Sequence, residues 1–317
     1  LKGLPLRVLF LISDMGRGGA ERVASLLANA WSERGDEVFL LATYSGQGHC
    51  VYPLHERVRF AYLADRVGHR KGGLGYLKRL LALRSVVEEY QPDVVVSFLT
   101  NVNVFSLLAT IGLGVPVIVS ERTYPPNTVV GTMGKLLRYL CYPRSARIIV
   151  QTSASGDWFD RKLGAGLCSV IENPSIYPLP VADGNRNLPI QIDSERAVLL
   201  AVGRLSVEKN FRMLVDVFAS LSDRFAAWDL VIVGDGDLYA DLRSQVDALG
   251  LEGRVMLVGA VGNLYDWYNR ADLYVMSSAF EGFPNTLLEA MAHGLPAVSF
   301  DCLAGPGGTL QVDTPIG

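Results

Sequence analysis

Short apolar strands that alternate with helices restrict the fold of this sequence more than any other feature. The first strand, 6–12, is a nearly continuous apolar run, as a strand buried on both faces requires. Further strands are predicted at 37–43, 93–98, 115–120 and 146–151, with helices over about 22–34, 75–90 and 102–111 and a long loop after residue 120. Strands alternating with helices predict an α/β fold with a parallel, doubly wound sheet.

The same alternation begins again in the second half of the chain. Strands are predicted there at 196–202, 229–233, 255–258 and 271–276. The stretch from residue 173 to about 194 is rich in Pro, Asn and Asp and shows no helical period, which is typical of a linker. We therefore predict two domains, 1–173 and 195–317, joined by a linker at 174–194.

The composition agrees with two globular domains. The chain has 317 residues, half of them hydrophobic, which is enough for two cores. No apolar run reaches the roughly 18 residues of a membrane-spanning helix, and no signal peptide is evident. The cysteines, Cys50, Cys141, Cys168 and Cys302, lack paired or metal-ligand spacing. We therefore expect reduced thiols in a cytoplasmic protein.

Charge is distributed unevenly between the two halves. Residues 1–173 hold 20 Lys and Arg against 14 Asp and Glu, whereas residues 174–317 hold 9 against 18. The first half is therefore predicted to meet an anionic partner.

The segment 66–84 carries six Lys and Arg, no acid and several leucines. It predicts either an amphipathic helix with a basic, solvated face or a surface for anionic lipid or a lipid-diphosphate acceptor.

The segment 279–296 carries the strongest local signal for a binding site. Glu281 lies on a loop before a predicted helix that ends near His293, and Glu289 lies inside that helix. The backbone amides of 282–287 are expected to point outward at the positive end of the helix dipole, which favours an anion. Two carboxylates beside such a helix start suggest a sugar nucleotide, which has both hydroxyl groups and phosphates. The alternative is an amphipathic helix whose acids are solvated.

Arg204 and Lys209 follow another predicted strand. They lie five residues apart across a strand-to-helix turn, so both side chains can reach one ligand. Arg offers a bidentate fork to a phosphate and Lys a point charge; the alternative is two solvated surface charges.

Asp235 and Asp237 could be mistaken for a metal-binding D-x-D motif. Because they stand between a strand and a helix, we predict instead that Asp237 caps that helix.

These motifs resemble those of a known enzyme family. E-G-F-P-N-T-L-L-E-A-M-A-H-G-L-P at 281–296 closely resembles the Glu-x7-Glu signature of the retaining glycosyltransferases of family 4. V-G-R-L-S-V-E-K-N at 202–210 and G-G-A-E-R at 18–22 are similar to two further family segments. S-E-R at 120–122 resembles a branch that builds bacterial surface polysaccharides. The resemblance implies the GT-B fold, in which two Rossmann-like domains flank a cleft. Members continue past the segment at 301–306, so the C-terminal domain is expected to be incomplete.

The resemblance also implies an activity. It implies transfer of a hexose or N-acetylhexosamine from a nucleotide-sugar, expected to be a UDP-sugar, to a lipid-linked or growing saccharide in polysaccharide or lipopolysaccharide synthesis. No metal, other cofactor or nucleic acid is expected, and the protein is expected to be cytoplasmic or peripheral at the inner face of the membrane. The rival functions are a UDP-sugar epimerase of similar fold and a non-catalytic sugar-nucleotide-binding protein.

Site residues follow from the same resemblance. Arg204 and Lys209 would neutralise the leaving diphosphate, Glu281 would position the donor sugar, and Glu289 would bind the ribose. The other donor-binding residues that the resemblance implies are Gly18, Gly19, Gly259, Ala260, Gly282, Phe283, Pro284, Asn285, Thr286 and Leu287. The acceptor-side candidates are Thr100, Asn101, Glu121 and Arg122. Thr100 and Asn101 stand in the neighbourhood where many family members have a histidine.

Overall fold

Two compact units, Leu1–Pro174 and Ser175–Gly317, make up the chain. The computed structural model describes residues 4–16, 18–44, 50–68, 73–128, 130–179, 192–193, 195–302 and 305. Each unit is built on a parallel sheet with helices between its strands, which confirms the predicted fold class.

The first unit contains a seven-stranded parallel sheet among its described residues. Its strands are β1 (Arg7–Ile12), β2 (Glu37–Ala42), β3 (Arg59–Tyr62), β4 (Val94–Phe98), β5 (Val117–Ser120), β6 (Arg147–Val150) and β7 (Cys168–Val170). They lie in the order β3-β2-β1-β4-β5-β6-β7. The order of the strands reverses between β1 and β4, and ligands of open α/β sheets bind beside the carboxyl ends of strands at such a point.

Six helices connect these strands in the part of the first unit that the structure describes. They are α1 (Gly19–Arg34), α2 (Ala64–Val67), α3 (Gly73–Tyr90), α4 (Thr100–Ala109), α5 (Thr132–Cys141) and α6 (Ser153–Leu163). The predicted long loop after residue 120 is wrong, because it contains α5. Helix α4 also begins two residues earlier than predicted, which places Thr100 and Asn101 in its first turn.

The second unit contains a five-stranded parallel sheet among its described residues, in the order β10-β9-β8-β11-β12. The strands are β8 (Ala197–Val202), β9 (Trp228–Val233), β10 (Val255–Gly259), β11 (Leu273–Met276) and β12 (Ala297–Ser299). The helices are α7 (Phe211–Leu221), α8 (Tyr239–Ala248), α9 (Leu264–Arg270) and α10 (Asn285–Ala292). Here the strand order reverses between β8 and β11.

Part of the predicted linker packs into the second unit. Leu179 is buried in a core cluster with Val198, Trp267 and Tyr274, and the ring of Tyr177 lies against His293. Residues 180–191 and 194, which make up most of the predicted linker, lie outside the described part of the chain.

The loops after β8 and β9 approach each other at backbone distance. The Gly203 N–H donates to the Val233 carbonyl over 3.0 Å, and the Leu205 N–H donates to the Asp235 carbonyl over 2.9 Å. Gly234 has φ +149°, and a Cβ there would lie 1.8 Å from the Gly203 carbonyl oxygen. A side chain at this position is therefore excluded both by the backbone conformation and by the neighbouring loop.

The predicted helix cap in this region is wrong. Helix α8 begins at Tyr239, its N-cap residue is Leu238, and no side chain makes a capping hydrogen bond. The Leu238 N–H instead donates to the Leu205 carbonyl. The turn that carries Asp237 therefore fastens the β9 loop to the β8 loop, and this contact fixes the entry to α8 without a polar cap.

We expect Gly234→Ala to destabilise the second unit by more than about 2 kcal/mol, because the new Cβ forces the two loops apart. Gly253→Ala is the matched control, since a Cβ at Gly253 meets no atom within 4 Å; its effect should stay within about 0.5 kcal/mol. Urea unfolding followed by tryptophan fluorescence measures both variants. Equal unfolding midpoints for Gly234→Ala and wild type would show that the close approach of the loops is unimportant.

Candidate functional site

A buried ion pair joins two loops at the carboxyl edge of the second sheet. Strands β8 and β11 are neighbours, and the loops that follow them carry Lys209 and Glu281. The Lys209 Nζ lies 2.6 Å from the Glu281 Oε1, with the two side chains 20% and 9% exposed. The Ser278 hydroxyl donates to the same carboxylate oxygen over 2.6 Å. Glu281 therefore has a cationic and a neutral partner in this arrangement.

Backbone contacts hold the two loops together around this pair. The Ala279 N–H donates to the Glu208 carbonyl over 2.8 Å, and the Ser277 hydroxyl donates to the Lys209 carbonyl over 2.8 Å. A Cβ at Gly203 would lie 3.3 Å from the Lys209 Cδ, so the glycine leaves room for the lysine stem. These contacts fix the position of the ammonium group before any ligand binds.

Arg204 lies in the same loop but is held differently. Its side chain is exposed, and none of the described residues forms an ion pair with it. Both cations predicted from the sequence therefore stand on one loop at the carboxyl end of β8, one neutralised by Glu281 and the other exposed. A guanidinium and an ammonium in such a position can bind an anion with several oxygens, such as a diphosphate.

Two tyrosines, Tyr268 and Tyr274, bind the part of α10 that carries Glu289. Glu289 is 6% exposed. The Tyr268 hydroxyl is 3.0 Å from the Glu289 Oε2 and 3.2 Å from the Thr286 carbonyl oxygen. The Tyr274 hydroxyl donates to the Thr286 Oγ1 over 2.7 Å, and burial raises the pKa of Tyr274, which keeps its hydroxyl protonated. The alternative of an amphipathic helix with solvated acids is therefore wrong for both Glu281 and Glu289.

The remaining donor-side candidates fall into two groups. Gly259 is the last residue of β10, and Ala260 and Gly282 lie in loops at the same carboxyl edge of the sheet as Lys209. Phe283 and Leu287 are 6% and 1% exposed, so their side chains belong to the protein interior, and only their backbone groups could face a ligand.

The expectation that the amides of 282–287 all point outward is wrong at Asn285. Its N–H donates to the Phe283 carbonyl over 2.9 Å.

In the first unit, Gly18 is the N-cap of α1 and Gly19 is its first residue. The Tyr52 hydroxyl donates to the Gly18 carbonyl over 3.1 Å, which fastens this glycine turn to a later loop.

The four acceptor-side candidates line one cavity in the first unit. It has a volume of about 120 Å³ and lies where β4 and β5 end. Its lining consists of Leu99, Thr100, Asn101, Glu121, Arg122, Thr123, Thr128 and Val130. Leu99 has φ +76°, a conformation that costs a non-glycine residue about 1–3 kcal/mol and that concentrates at functional sites. The sequence thus predicted the polar residues that line this cavity but not the strained backbone at Leu99.

Glu121 is the buried centre of a polar network beside this cavity. The Thr100 hydroxyl donates to it over 2.8 Å, and the Tyr142 hydroxyl donates to its other oxygen. The Asn103 amide in turn donates to the Tyr142 hydroxyl oxygen over 3.0 Å. Burial raises the pKa of Glu121, and the Tyr142 hydrogen bond and the Arg138 charge oppose the rise. Sequence reasoning missed Tyr142 because it lies 21 residues further along the chain.

Arg122 points toward the same cavity and is fixed by two contacts. Its guanidinium lies 4.3 Å from the centroid of the Phe98 ring, and its Nη2 donates to the Asn173 Oδ1. The cavity thus offers an immobilised cation and a buried carboxyl group side by side. Hydroxyl groups of a saccharide can bind to such a pair as donors and acceptors.

Among the described residues no cluster of three or more His, Cys, Asp or Glu could hold a metal ion, and the four cysteines are free thiols. None of the helices described here combines the length and the apolar character needed to cross a membrane.

Family models match both units of the chain. The model described as Glycosyl transferase 4-like domain matches residues 18–174, and the model described as Glycosyl transferases group 1 matches residues 196–312. The two matches together cover most of the chain and contain every site described above.

Similar proteins agree with these matches. The amylovoran biosynthesis glycosyltransferase AmsD of Erwinia amylovora is 25% identical over 97% of this chain and 84% of its own length. The GalNAc-alpha-(1->4)-GalNAc-alpha-(1->3)-diNAcBac-PP-undecaprenol alpha-1,4-N-acetyl-D-galactosaminyltransferase of Campylobacter jejuni is 28% identical over 90% of this chain and 77% of its own length. Anabaena HepE, solved in complex with UDP and glucose, shares the fold with a TM-score of 0.74 at 20% identity over 94% of this chain and 82% of HepE.

We expect Lys209→Ala to destabilise the second unit by about 1–3 kcal/mol at neutral pH, because it leaves the buried Glu281 carboxylate without its cation. Arg204→Ala removes an exposed side chain and should change stability by no more than about 0.5 kcal/mol. Urea unfolding compares the two variants. The double variant Lys209→Ala/Glu281→Gln should recover most of the loss. A Lys209→Ala protein as stable as wild type would contradict the structural role of the ion pair.

Proposed function

Because this chain belongs to the family 4 glycosyltransferases, which have the GT-B fold, we propose that it moves a hexose or N-acetylhexosamine from a UDP-sugar to a saccharide acceptor in cell-surface polysaccharide synthesis. The proposed reaction retains the anomeric configuration and requires no metal ion. The observation that carries it is the Lys209–Glu281 pair beside the exposed Arg204 at the carboxyl edge of the second sheet.

The donor follows from the chemistry of that edge. A nucleoside diphosphate-sugar carries phosphate oxygens for the two cations and ribose and sugar hydroxyls for Glu289 and Glu281. HepE was solved with UDP and glucose, which supports a UDP-sugar among the possible donors. The ribose is proposed to bind the Glu289 carboxylate, whose orientation the Tyr268 hydroxyl fixes.

The acceptor is proposed to bind in the first unit at the cavity lined by Glu121 and Arg122. Its polar groups suit the hydroxyls of a saccharide. The name of the Campylobacter jejuni relative includes a saccharide linked through a diphosphate to undecaprenol, which supports a lipid-linked acceptor. Such an acceptor would bring this protein to the inner surface of a membrane.

Catalysis is proposed to depend on charge stabilisation of the departing diphosphate. As the bond between the sugar and the diphosphate breaks, negative charge grows on the phosphate oxygens. Arg204 and Lys209 are proposed to lie beside these oxygens and to stabilise that charge. In the unliganded protein Glu281 neutralises Lys209. When the bound diphosphate neutralises Lys209 instead, Glu281 can accept hydrogen bonds from the donor sugar and stabilise positive charge at the sugar ring.

Metal independence is proposed because the two side-chain cations already supply the positive charge that the diphosphate needs. The Asp235 Oδ1 accepts the Gly236 N–H within its own turn over 2.8 Å. No feature of the described residues favours the rival epimerase or a non-catalytic binding role.

We expect sugar transfer from a UDP-sugar to a lipid-linked saccharide to continue in EDTA and to give a product with the donor's anomeric configuration. A radiolabelled transfer assay measures the turnover, and proton NMR of the purified product measures the configuration. An altered UDP-sugar formed without acceptor would identify an epimerase. Loss of turnover in EDTA that Mg²⁺ or Mn²⁺ restores would overturn metal independence and make Asp235 and Asp237 candidate metal ligands.

A further inference from the structure

Helix α5 is unusual because three of its apolar side chains face outward while an arginine faces inward. Met133, Leu136 and Leu140 are 65%, 50% and 56% exposed, whereas Arg138 is only 2% exposed. Arg138 is held inside, with its guanidinium 4.9 Å from the centroid of the Trp158 ring. The three exposed residues follow the spacing i, i+3 and i+7, so they form one row along the helix.

Helix α3 repeats this pattern with the same spacing. Its exposed row consists of Leu74, Leu77 and Leu81, which are 80%, 51% and 57% exposed. Its opposite side packs into the core through Leu83, Val86 and Val87. A water-soluble helix normally places polar residues on its outer face. Two helices of one unit that each expose an apolar row therefore need a common explanation.

The two helices belong to one layer. Both pack against α4, whose residues are almost all buried. The Tyr76 ring of α3 meets the Phe105 ring of α4 with centroids 5.5 Å apart, and Cys141 of α5 belongs to the same core cluster as these two residues. The side chains of α3 and α5 therefore converge over α4. We call the six exposed residues of the two rows the apolar patch.

The charges around the apolar patch are positive. The sequence contains no Asp or Glu at 66–87 or at 123–156, the stretches that include α5 and all but the end of α3. Lys78 lies beside Leu77 and Leu81, Lys135 lies beside Leu136, and both lysines are exposed. A cationic, apolar surface without carboxylates is complementary to a bilayer that contains anionic lipid.

The structure also corrects the expected basic face of 66–84. Arg66 pairs with Glu89 over 2.8 Å, and Arg84 pairs with Glu88 over 3.1 Å. Arg70 and Lys71 lie outside the described residues. Within the described part, Lys78 and Arg79 are the cations of this segment without a carboxylate ion pair, so the basic charge is concentrated in the first half of α3, beside its leucines.

We propose that the apolar patch docks into the headgroup region of an anionic bilayer, with the six apolar side chains inserted and Lys78, Arg79 and Lys135 contacting lipid phosphates. A second copy of the chain fits less well, because a symmetric contact would bring the same lysines of both copies together. The proposal deepens the proposed function, since it places the first unit where a lipid-linked acceptor lies. It does not depend on the donor site.

The apolar part of the proposal is tested by Met133→Ser/Leu136→Ser/Leu140→Ser. The matched control is Val217→Ser/Leu221→Ser, which changes exposed apolar residues of α7 that are 45% and 39% exposed. Full chains are sedimented with vesicles of phosphatidylcholine containing 30% phosphatidylglycerol. We expect wild type and control to bind, and the α5 variant to lose at least about tenfold in its partition coefficient. Equal sedimentation of the α5 variant and wild type would overturn the proposal.

The charge part is tested by Lys78→Glu/Arg79→Glu, with Arg161→Glu/Lys162→Glu on α6 as the control. Each cation near an anionic surface changes the partition coefficient by about fivefold, so the α3 variant should lose well over tenfold and the α6 control much less. Binding of wild type should weaken as salt increases. Equal binding to vesicles of pure phosphatidylcholine would contradict the anionic requirement.

Two further measurements separate the other outcomes. Light scattering after size exclusion detects self-association, and a wild-type dimer that the α5 serine variant abolishes, without vesicle binding, would assign the patch to a contact between copies. Calorimetric titration with UDP checks the donor site separately. Intact UDP binding together with no vesicle binding would overturn this proposal alone, whereas the reverse result would overturn the proposed function alone.

Discussion

The ion pair between Lys209 and Glu281 is the interaction on which the second unit's site depends. It joins the loops after two neighbouring parallel strands, β8 and β11, and it exists because those loops lie within backbone hydrogen-bonding distance of each other. The absence of a side chain at Gly203 leaves room for the Lys209 stem, and its absence at Gly234 lets the loop after β9 pack against the loop after β8. A buried carboxylate that keeps a hydroxyl partner, Ser278, can release its lysine to an incoming anion at lower cost than one that would be left unsatisfied.

The buried carboxyl group of the first unit is held by hydroxyl groups instead of a cation. Glu121 is buried, yet no cation forms an ion pair with it in the described residues; its hydrogen-bond partners are Thr100 and Tyr142. Burial therefore raises the pKa of Glu121. Glu281, in contrast, forms an ion pair with a lysine. Under the proposed function the two carboxyl groups would have different tasks: Glu281 would accompany the cations that bind a diphosphate, and Glu121 would help to shape a cavity for hydroxyl groups.

Sequence reasoning found the fold and the cationic loop because both depend on local patterns. Apolar runs mark parallel strands wherever both faces are buried, and Arg204 and Lys209 stand close together in the chain. It missed α5, in which Met133, Leu136 and Leu140 face outward and Arg138 faces inward, so that apolar periodicity did not mark the buried face. It also missed Tyr142 and Tyr268, because a hydroxyl that supports a distant carboxylate leaves no signal near that carboxylate in the chain. The prediction that Asp237 caps α8 was wrong, because the Leu238 N–H donates to the Leu205 carbonyl instead.

Calorimetric titration of the full chain with UDP tests most directly whether the loop that carries Arg204 and Lys209 binds the donor diphosphate. Arg204→Ala and Lys209→Ala should each weaken UDP binding by about 1.5–3 kcal/mol, the range for a lost charge-assisted hydrogen bond. Arg243→Ala is the control, since Arg243 forms an exposed ion pair with Asp247 on α8 and should leave the affinity unchanged. UDP binding of wild-type strength in both loop variants would contradict the assignment of this site.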